Sequence, residues 1–223
     1  MKKLAFILLF ILAFPARAER VGFIADTHIG KAKIKVSTHG FSVHPRLAKK
    51  YLNSYFKKVG NDGIKIVIVC GDIDGVNGKK IVVSIAKKYG VTPLIVNGNN
   101  DKLPKNYYVV DRGNYQIMVL DSNGSKMSSV GLIDSAQKNW IYSNLSKPTI
   151  IAMHHSVFNK HNNNSFFPEY DFLKELPNVR LVITGHNHIE YSETFNNIRF
   201  FTANPFTANK RINSYLIEQF SVR

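Results

Sequence analysis

Cysteine is all but missing. Cys70 is the single one among 223 residues, so no internal disulfide can form and the fold rests on its apolar core. Acid is scarce as well: 15 Asp and Glu stand against 30 Lys and Arg, a formal charge of +15. There is no internal repeat, no low-complexity tract and no sign of a second domain. No array of interleaved basic and aromatic residues is present, so the charge by itself does not establish nucleic-acid binding. The one long apolar run, residues 4–14, is too short for a comfortable membrane span.

That run has another reading. Lys2 and Lys3 precede it, and Pro15-Ala16-Arg17-Ala18 follows, with small residues at the two positions a signal peptidase reads. Residues 1–18 are therefore expected to be a secretory signal peptide cleaved after Ala18. Residues 19–223 would then be one domain, periplasmic or secreted, with no remaining membrane span. No cysteine follows the run to carry a lipid anchor. Lys2, Lys3 and Arg17 account for three of the +15, so about +12 stays with the mature chain. A basic surface of this kind attracts phosphate esters, nucleic acid or anionic lipid. An apolar fraction of 44% and a charged fraction of 20% are ordinary for a globular domain.

The chain is organised around residues 65–72, Lys-Ile-Val-Ile-Val-Cys-Gly-Asp. This short β-branched run reads as a buried strand, and its continuous apolarity suggests a parallel sheet covered on both faces. Cys70, inside it, is expected to be a buried small hydrophobe. Four other apolar runs stop in the same manner. Residues 21–25 lead into Asp26-Thr27-His28, and 93–96 into Asn97-Gly98-Asn99-Asn100-Asp101. Residues 149–153 lead into His154-His155, and 181–184 into Gly185-His186-Asn187-His188. Helices are expected at 45–59, 79–89, 135–145 and 168–176, which gives the first half the grammar of βαβ units. A hairpin turns at Arg112-Gly113-Asn114, and further strands lie at 191–195, 198–202 and 215–220. Residues 29–44 and 159–165 read as loops.

In open α/β sheets, ligands bind outside the carboxyl ends of the strands. Five such ends supply Asp, Asn or His, types that bind hard or borderline divalent metals. The candidates are Asp26, His28, Asp72, Asn99, His154, His186 and His188. Seven ligands are too many for one ion and about right for two, and a carboxylate can hold two cations a few ångströms apart. Asp72, on the innermost apolar strand, is the natural bridge.

These motifs, in this order, resemble the calcineurin-like metallophosphoesterase superfamily: Asp-x-His, Gly-Asp, Gly-Asn-His-Asp/Glu, His and Gly-His-x-His. The stretch Leu120-Asp121-Ser122-Asn123, with Gly131-Leu132-Ile133-Asp134, Gln137, Trp140 and His154-His155, is similar to the branch of class III cyclic-nucleotide phosphodiesterases and glycerophosphodiesterases. The resemblance implies a four-layer α/β/β/α sandwich with a dimetal site at the strand carboxyl ends. It implies that Asp26, His28 and His188 hold one metal, that Asn99, His154 and His186 hold the other, and that Asp72 bridges. His154 is preferred to His155 because it ends the apolar run directly and stands at the family's position. The implied cofactors are two divalent or trivalent ions, Mn, Fe or Zn. The implied chemistry is phosphate-ester hydrolysis by a hydroxide bound to the dinuclear centre, with a small phosphate ester as substrate.

Two positions depart from the family pattern. Where the family has a histidine that assists the leaving group or transition state, this chain has Asn100, which donates a hydrogen bond but transfers no proton at neutral pH. With Asn100, His28 and Asp72 as the catalytic candidates, the expectation is a preference for good leaving groups, or protonation through His28, His155 or water. Ser156 stands where the branch often has proline. An exported phosphodiesterase or phosphatase is the leading reading. A nuclease or nucleotide phosphatase of the same fold, or a non-catalytic binding module, are the alternatives.

Overall fold

A computed structural model describes residues 19–30, 36–38, 41–124, 130–159, 165–166, 169–207 and 214–217. The expected leader, 1–18, lies outside the described residues. In chain order the first half holds β1 (Val21–Ala25), β2 (Val36–Thr38), β3 (Phe41–Val43), α1 (Pro45–Asn61), β4 (Ile66–Cys70), α2 (Gly75–Lys88) and β5 (Thr92–Val96). The second half holds β6 (Tyr108–Asp111), β7 (Gln116–Val119), α3 (Ser135–Asn144), β8 (Thr149–Ala152), β9 (Phe158–Asn159) and β10 (Ser165–Phe166). After these come α4 (Glu169–Leu173), β11 (Val179–Thr184), β12 (Tyr191–Phe195), β13 (Ile198–Thr202) and β14 (Tyr215–Ile217).

Two sheets result. The first has the order β14-β1-β4-β5, with β1, β4 and β5 parallel and β14 antiparallel at the edge. The second runs β12-β13-β11-β8-β7-β6, parallel through its middle and antiparallel at both edges. The period-2 alternation of each strand then sorts the layers. Phe23, Ile68, Cys70 and Leu94 of the first sheet face Ile117, Ile150 and Ile183 of the second. Val67, Val69 and Ile95 point the other way, onto Leu52 and Phe56 of α1 and Val82 and Ala86 of α2. Met118, Ile151 and Val182 pack on Ile141 of α3 and Tyr170 and Leu173 of α4. Helices thus cover both outer faces of a mixed α/β sandwich, and each fully buried large side chain contributes roughly 1.5–3 kcal/mol. Every parallel strand ends at the same edge, which is why residues distant in sequence meet there.

Several elements differ from the sequence expectation. α2 begins at Gly75 rather than Lys79, because Asp74 turns the chain left-handed (φ 64°) and Gly75 N–H donates to Asp101 (3.2 Å). α1 runs two residues past Val59: Gly60 stays helical against the Tyr89 carbonyl, and the left-handed turn falls on Gly63 (φ 78°). Residues 29–44, read as a loop, contain the β2–β3 hairpin. Residues 159–165 hold part of the β9–β10 pair, while 160–164 lie outside the described residues. Asp134 caps α3 by accepting from Gln137 N–H (2.9 Å).

Candidate metal centre

The ends of β1 and β4 are zipped together past the last ladder pair. Asp26 N–H donates to Gly71 O (3.2 Å), His28 N–H to Asp72 O (2.8 Å) and Gly30 N–H to Ile73 O (3.0 Å). Asp26, His28 and Asp72 sit at φ 50°, 45° and 51°, and His186 and His188 at 70° and 56°. A left-handed conformation costs a non-glycine residue about 1–2 kcal/mol, and such strain gathers at functional sites. Here the zipper holds it, and the turns swing the carboxylates and imidazoles to one side. Two glycines permit the close approach. A Cβ on Gly71 would strike the His154 ring and the Gly98 backbone, and one on Gly185 would strike the Asp26 carboxylate.

Two buried triads follow, Asp26 with His28 and His188, and Asp26 with Asp72 and His154, the ligand atoms of each lying within 4.8 Å of one another. Asp26 therefore belongs to both groups, a role the sequence reading gave to Asp72 alone. Asp72 is also central: its Oδ2 lies 3.7 Å from His28 Nε2 and its Oδ1 3.5 Å from His154 Nε2. His188 Nε2 lies 3.4 Å from Asp26 Oδ1. Asn99 Oδ1 and His186 Nδ1 lie 3.0 and 3.2 Å from His154 Nε2. All seven candidates thus meet at one edge.

The donor chemistry fits a cation. His154 Nδ1 donates to Cys70 O (3.0 Å), so Nε2 is the atom turned toward Asn99, His186 and Asp72. Two acceptor oxygens and a second imidazole nitrogen crowd this one ring atom, an arrangement that a metal ion among them would satisfy. His28 Nδ1 lies 3.3 Å from Asp74 Oδ1, its acceptor, while Nε2 is buried without a hydrogen-bond partner among the described residues. An imidazole whose far nitrogen is fixed by a carbonyl or carboxylate is the usual form of a metal ligand.

Neighbouring charges shift three groups of the cluster. Burial would lower the pKa of His28, but the Asp74 hydrogen bond and the Asp72 and Asp26 charges overcome it and raise the value above the ordinary one. Burial opposes protonation of His154 too, and Asp72, Asp26 and the Cys70 carbonyl together raise its pKa. Burial would raise Asp72, but His154, His28 and the Asn100 donors hold it well below the usual carboxylate range.

Further residues surround the seven candidates. Asn100 is exposed, donating its backbone N–H to Asp72 Oδ1 (3.0 Å) and Nδ2–H to Oδ2 (2.7 Å). Asp101, 1% exposed, accepts backbone N–H groups from Asp72 (3.0 Å), Ile73 (2.8 Å), Gly75 (3.2 Å) and Gly98 (2.7 Å). Neither Asp101 nor Asp74 was among the expected site residues, although the carboxylates in Gly71-Asp72-Ile73-Asp74 and Asn99-Asn100-Asp101 were visible beside the ligands. His155 points elsewhere than His154: its Nδ1 pairs with Ser122 Oγ (2.8 Å) and its ring lies 4.6 Å from that of His186. Ser156 bonds Thr202 Oγ1 (2.8 Å) beneath the site.

Fold and ligand set together define a metal-site protein of the phosphoesterase type, and comparison with known proteins agrees. A family model described as calcineurin-like phosphoesterase matches residues 19–190. The chain belongs to the calcineurin-like metallophosphoesterase family, which uses a dinuclear metal site. Among solved structures it is similar to a dimetal phosphatase from Danio rerio, with 12% identity, a TM-score of 0.72, and 92% of this chain and 94% of that one covered. It is also similar to the phosphopantetheinyl hydrolase of Mycobacterium tuberculosis, with 11% identity, a TM-score of 0.51, and 92% and 96% covered. The yellow lupin purple acid phosphatase PPD1 shares 16% identity at a TM-score of 0.52, with 83% of this chain and 43% of that one covered. At such identities the likeness is one of fold. No curated protein matches.

Proposed function

We propose that this chain is an exported phosphoesterase that hydrolyses phosphodiesters at a two-metal centre. The observation that carries this reading is the convergence of Asn99, His186 and Asp72 on His154 Nε2, beside His28 Nε2, which is buried without a hydrogen-bond partner among the described residues. Asp26, His28 and His188 would hold one ion, and Asn99, His154 and His186 the other, with Asp72 between them and Asp26 in reach of both. Two bound cations of Mn, Fe or Zn type would neutralise phosphate oxygens and acidify water. The side chains do the rest. Asp74 and the Cys70 carbonyl orient the His28 and His154 rings, Asp101 fixes the two turns, and Asn100 holds the Asp72 carboxylate at the open side.

The diester preference rests on the Leu120–Asn123 segment and its likeness to the phosphodiesterase branch. That segment adjoins the centre through Ser122 on His155 and through Asn123 Nδ2–H on Asn97 O (3.4 Å). Asn100 has no proton to transfer near neutral pH, so the rate is expected to fall as the leaving group becomes more basic. Export rests on the leader pattern of residues 1–18.

The test is hydrolysis of bis(p-nitrophenyl) phosphate against p-nitrophenyl phosphate, with Mn²⁺ and with EDTA. The expected result is metal-dependent turnover of the diester. Cleavage of the monoester alone would replace the phosphodiesterase with a phosphatase. Cleavage of neither would favour a non-catalytic module.

A further inference from the structure

The outer layer formed by α1 and α2 carries charge of one sign. The apolar sides of these helices, Leu52, Phe56 and Val59 on α1 and Val82 and Ala86 on α2, are spent on the first sheet. The opposite sides present Lys49, Lys50, Lys57, Lys58, Lys79, Lys80, Lys87 and Lys88, all exposed. Neither helix contains a single Asp or Glu. Asp62, just beyond α1, pairs with Lys58 (2.6 Å), and no other of these lysines has a carboxylate partner among the described residues. A solvated helix face ordinarily mixes both signs, which supplies i,i+4 pairs and limits self-repulsion. Here the acid has been left out of both helices at once.

Apolar side chains are set among the lysines. Val76 is 56% exposed and Val83 40%. Positions 76, 80, 83 and 87 follow helical spacing, so one ridge of α2 reads Val, Lys, Val, Lys. Flexible ammonium groups beside exposed aliphatic ones suit a surface with diffuse negative charge over hydrocarbon. The eight lysines are point charges, without the planar fork that reads phosphate and base edges bidentately. Among the described residues the rings beside them, Tyr51 and Tyr89, are half-buried, and Lys88 Nζ lies 5.2 Å over the Tyr89 ring, so no fully exposed ring is offered for bases to stack on. The Val76 end of the ridge adjoins the metal centre, because Gly75 N–H is held by Asp101.

We propose that the α1–α2 face docks the protein on an anionic phospholipid surface, with the metal centre at the rim of the contact. The proposal does not depend on the activity of the centre. The test is sedimentation of the chain without its leader (residues 19–223, which hold every described element) with phosphatidylcholine vesicles, plain or about one-third phosphatidylglycerol. The expected result is binding to the anionic vesicles alone, abolished by high salt. At about fivefold per lysine, K79E/K80E should lower the partition coefficient at least twentyfold. R180E/R199E, an equal charge change at two exposed positions of the second sheet, should change it less than about threefold. V76S/V83S should weaken binding without altering its salt dependence. Equal losses in the two charge variants would overturn the proposal, since net charge alone would then account for the binding. So would equal binding to plain vesicles, or no binding. Tighter binding to duplex DNA that is lost in K79E/K80E would give the face to nucleic acid instead.

Discussion

Asp72→Asn is expected to lower kcat/KM on a phosphodiester by about a thousandfold or more, which is about 4 kcal/mol of transition-state stabilisation. The substitution keeps the shape and removes the charge. Asp72 turns one oxygen toward His28 Nε2 (3.7 Å) and the other toward His154 Nε2 (3.5 Å), so both halves of the cluster lose the same anion. An amide also offers a nitrogen where Asn100 now directs N–H groups at both carboxylate oxygens, 3.0 and 2.7 Å away. Two donors would then face each other on one side. With its principal partner neutral, the His154 pKa should fall back, as should that of His28 to the extent that Asp72 raises it. Steady-state kinetics with saturating Mn²⁺ checks this; a loss of less than tenfold would remove Asp72 from the centre.

Asp101→Ala is expected to be the most destabilising single change near the site, by about 4 kcal/mol in urea unfolding. The carboxylate is 1% exposed and takes four backbone N–H groups from two turns, for which no other acceptor stands among the described residues. Each buried donor left unpaired costs roughly 1–3 kcal/mol, offset in part by relaxation and entering water. For a domain of this size that corresponds to a fall in Tm of roughly 8–16 °C. Asp101→Asn, which retains one acceptor oxygen, should fall between. The contrast is Asp111→Asn, at an exposed hairpin carboxylate paired with Lys147, which should stay within about 0.5 kcal/mol of the parent. A loss below 1 kcal/mol in Asp101→Ala would mean that water or the backbone replaces the carboxylate without cost.

The strands were legible because their signal is strong and local. Residues 66–70, Ile-Val-Ile-Val-Cys, can scarcely be anything but a buried strand, and the expected and observed elements agree there. The edge where the candidate ligands meet was legible for a related reason, since polar residues that abruptly end apolar runs must lie at strand ends. What the residues did not reveal depends on geometry between segments. The start of α2 at Gly75 requires knowing that Asp101, 26 residues later, returns to accept its N–H. The reach of Asp26 into both triads follows from left-handed turns at β-strand ends; aspartate and histidine adopt these more readily than most side chains, but still too rarely for sequence alone to place them. The helix expected to end at 59 runs on to Asn61, and position 60 within it is glycine because the Tyr89 carbonyl leaves no room for a side chain. Such close approaches are tertiary facts, and no window of sequence contains them.

Asp26, His28, Asp72, Asn99, His154, His186 and His188 are proposed to hold two ions in one centre. The most direct measurement is calorimetric titration of Mn²⁺ into EDTA-treated protein at pH 6 and pH 8. The expected result is two ions per chain, bound more weakly at the lower pH. His28 and His154 have raised pKa values, so at pH 6 their protons must be displaced before either ring can bind metal, and the competition lessens as the pH rises. A stoichiometry of one, no binding, or an affinity indifferent to pH would contradict the account.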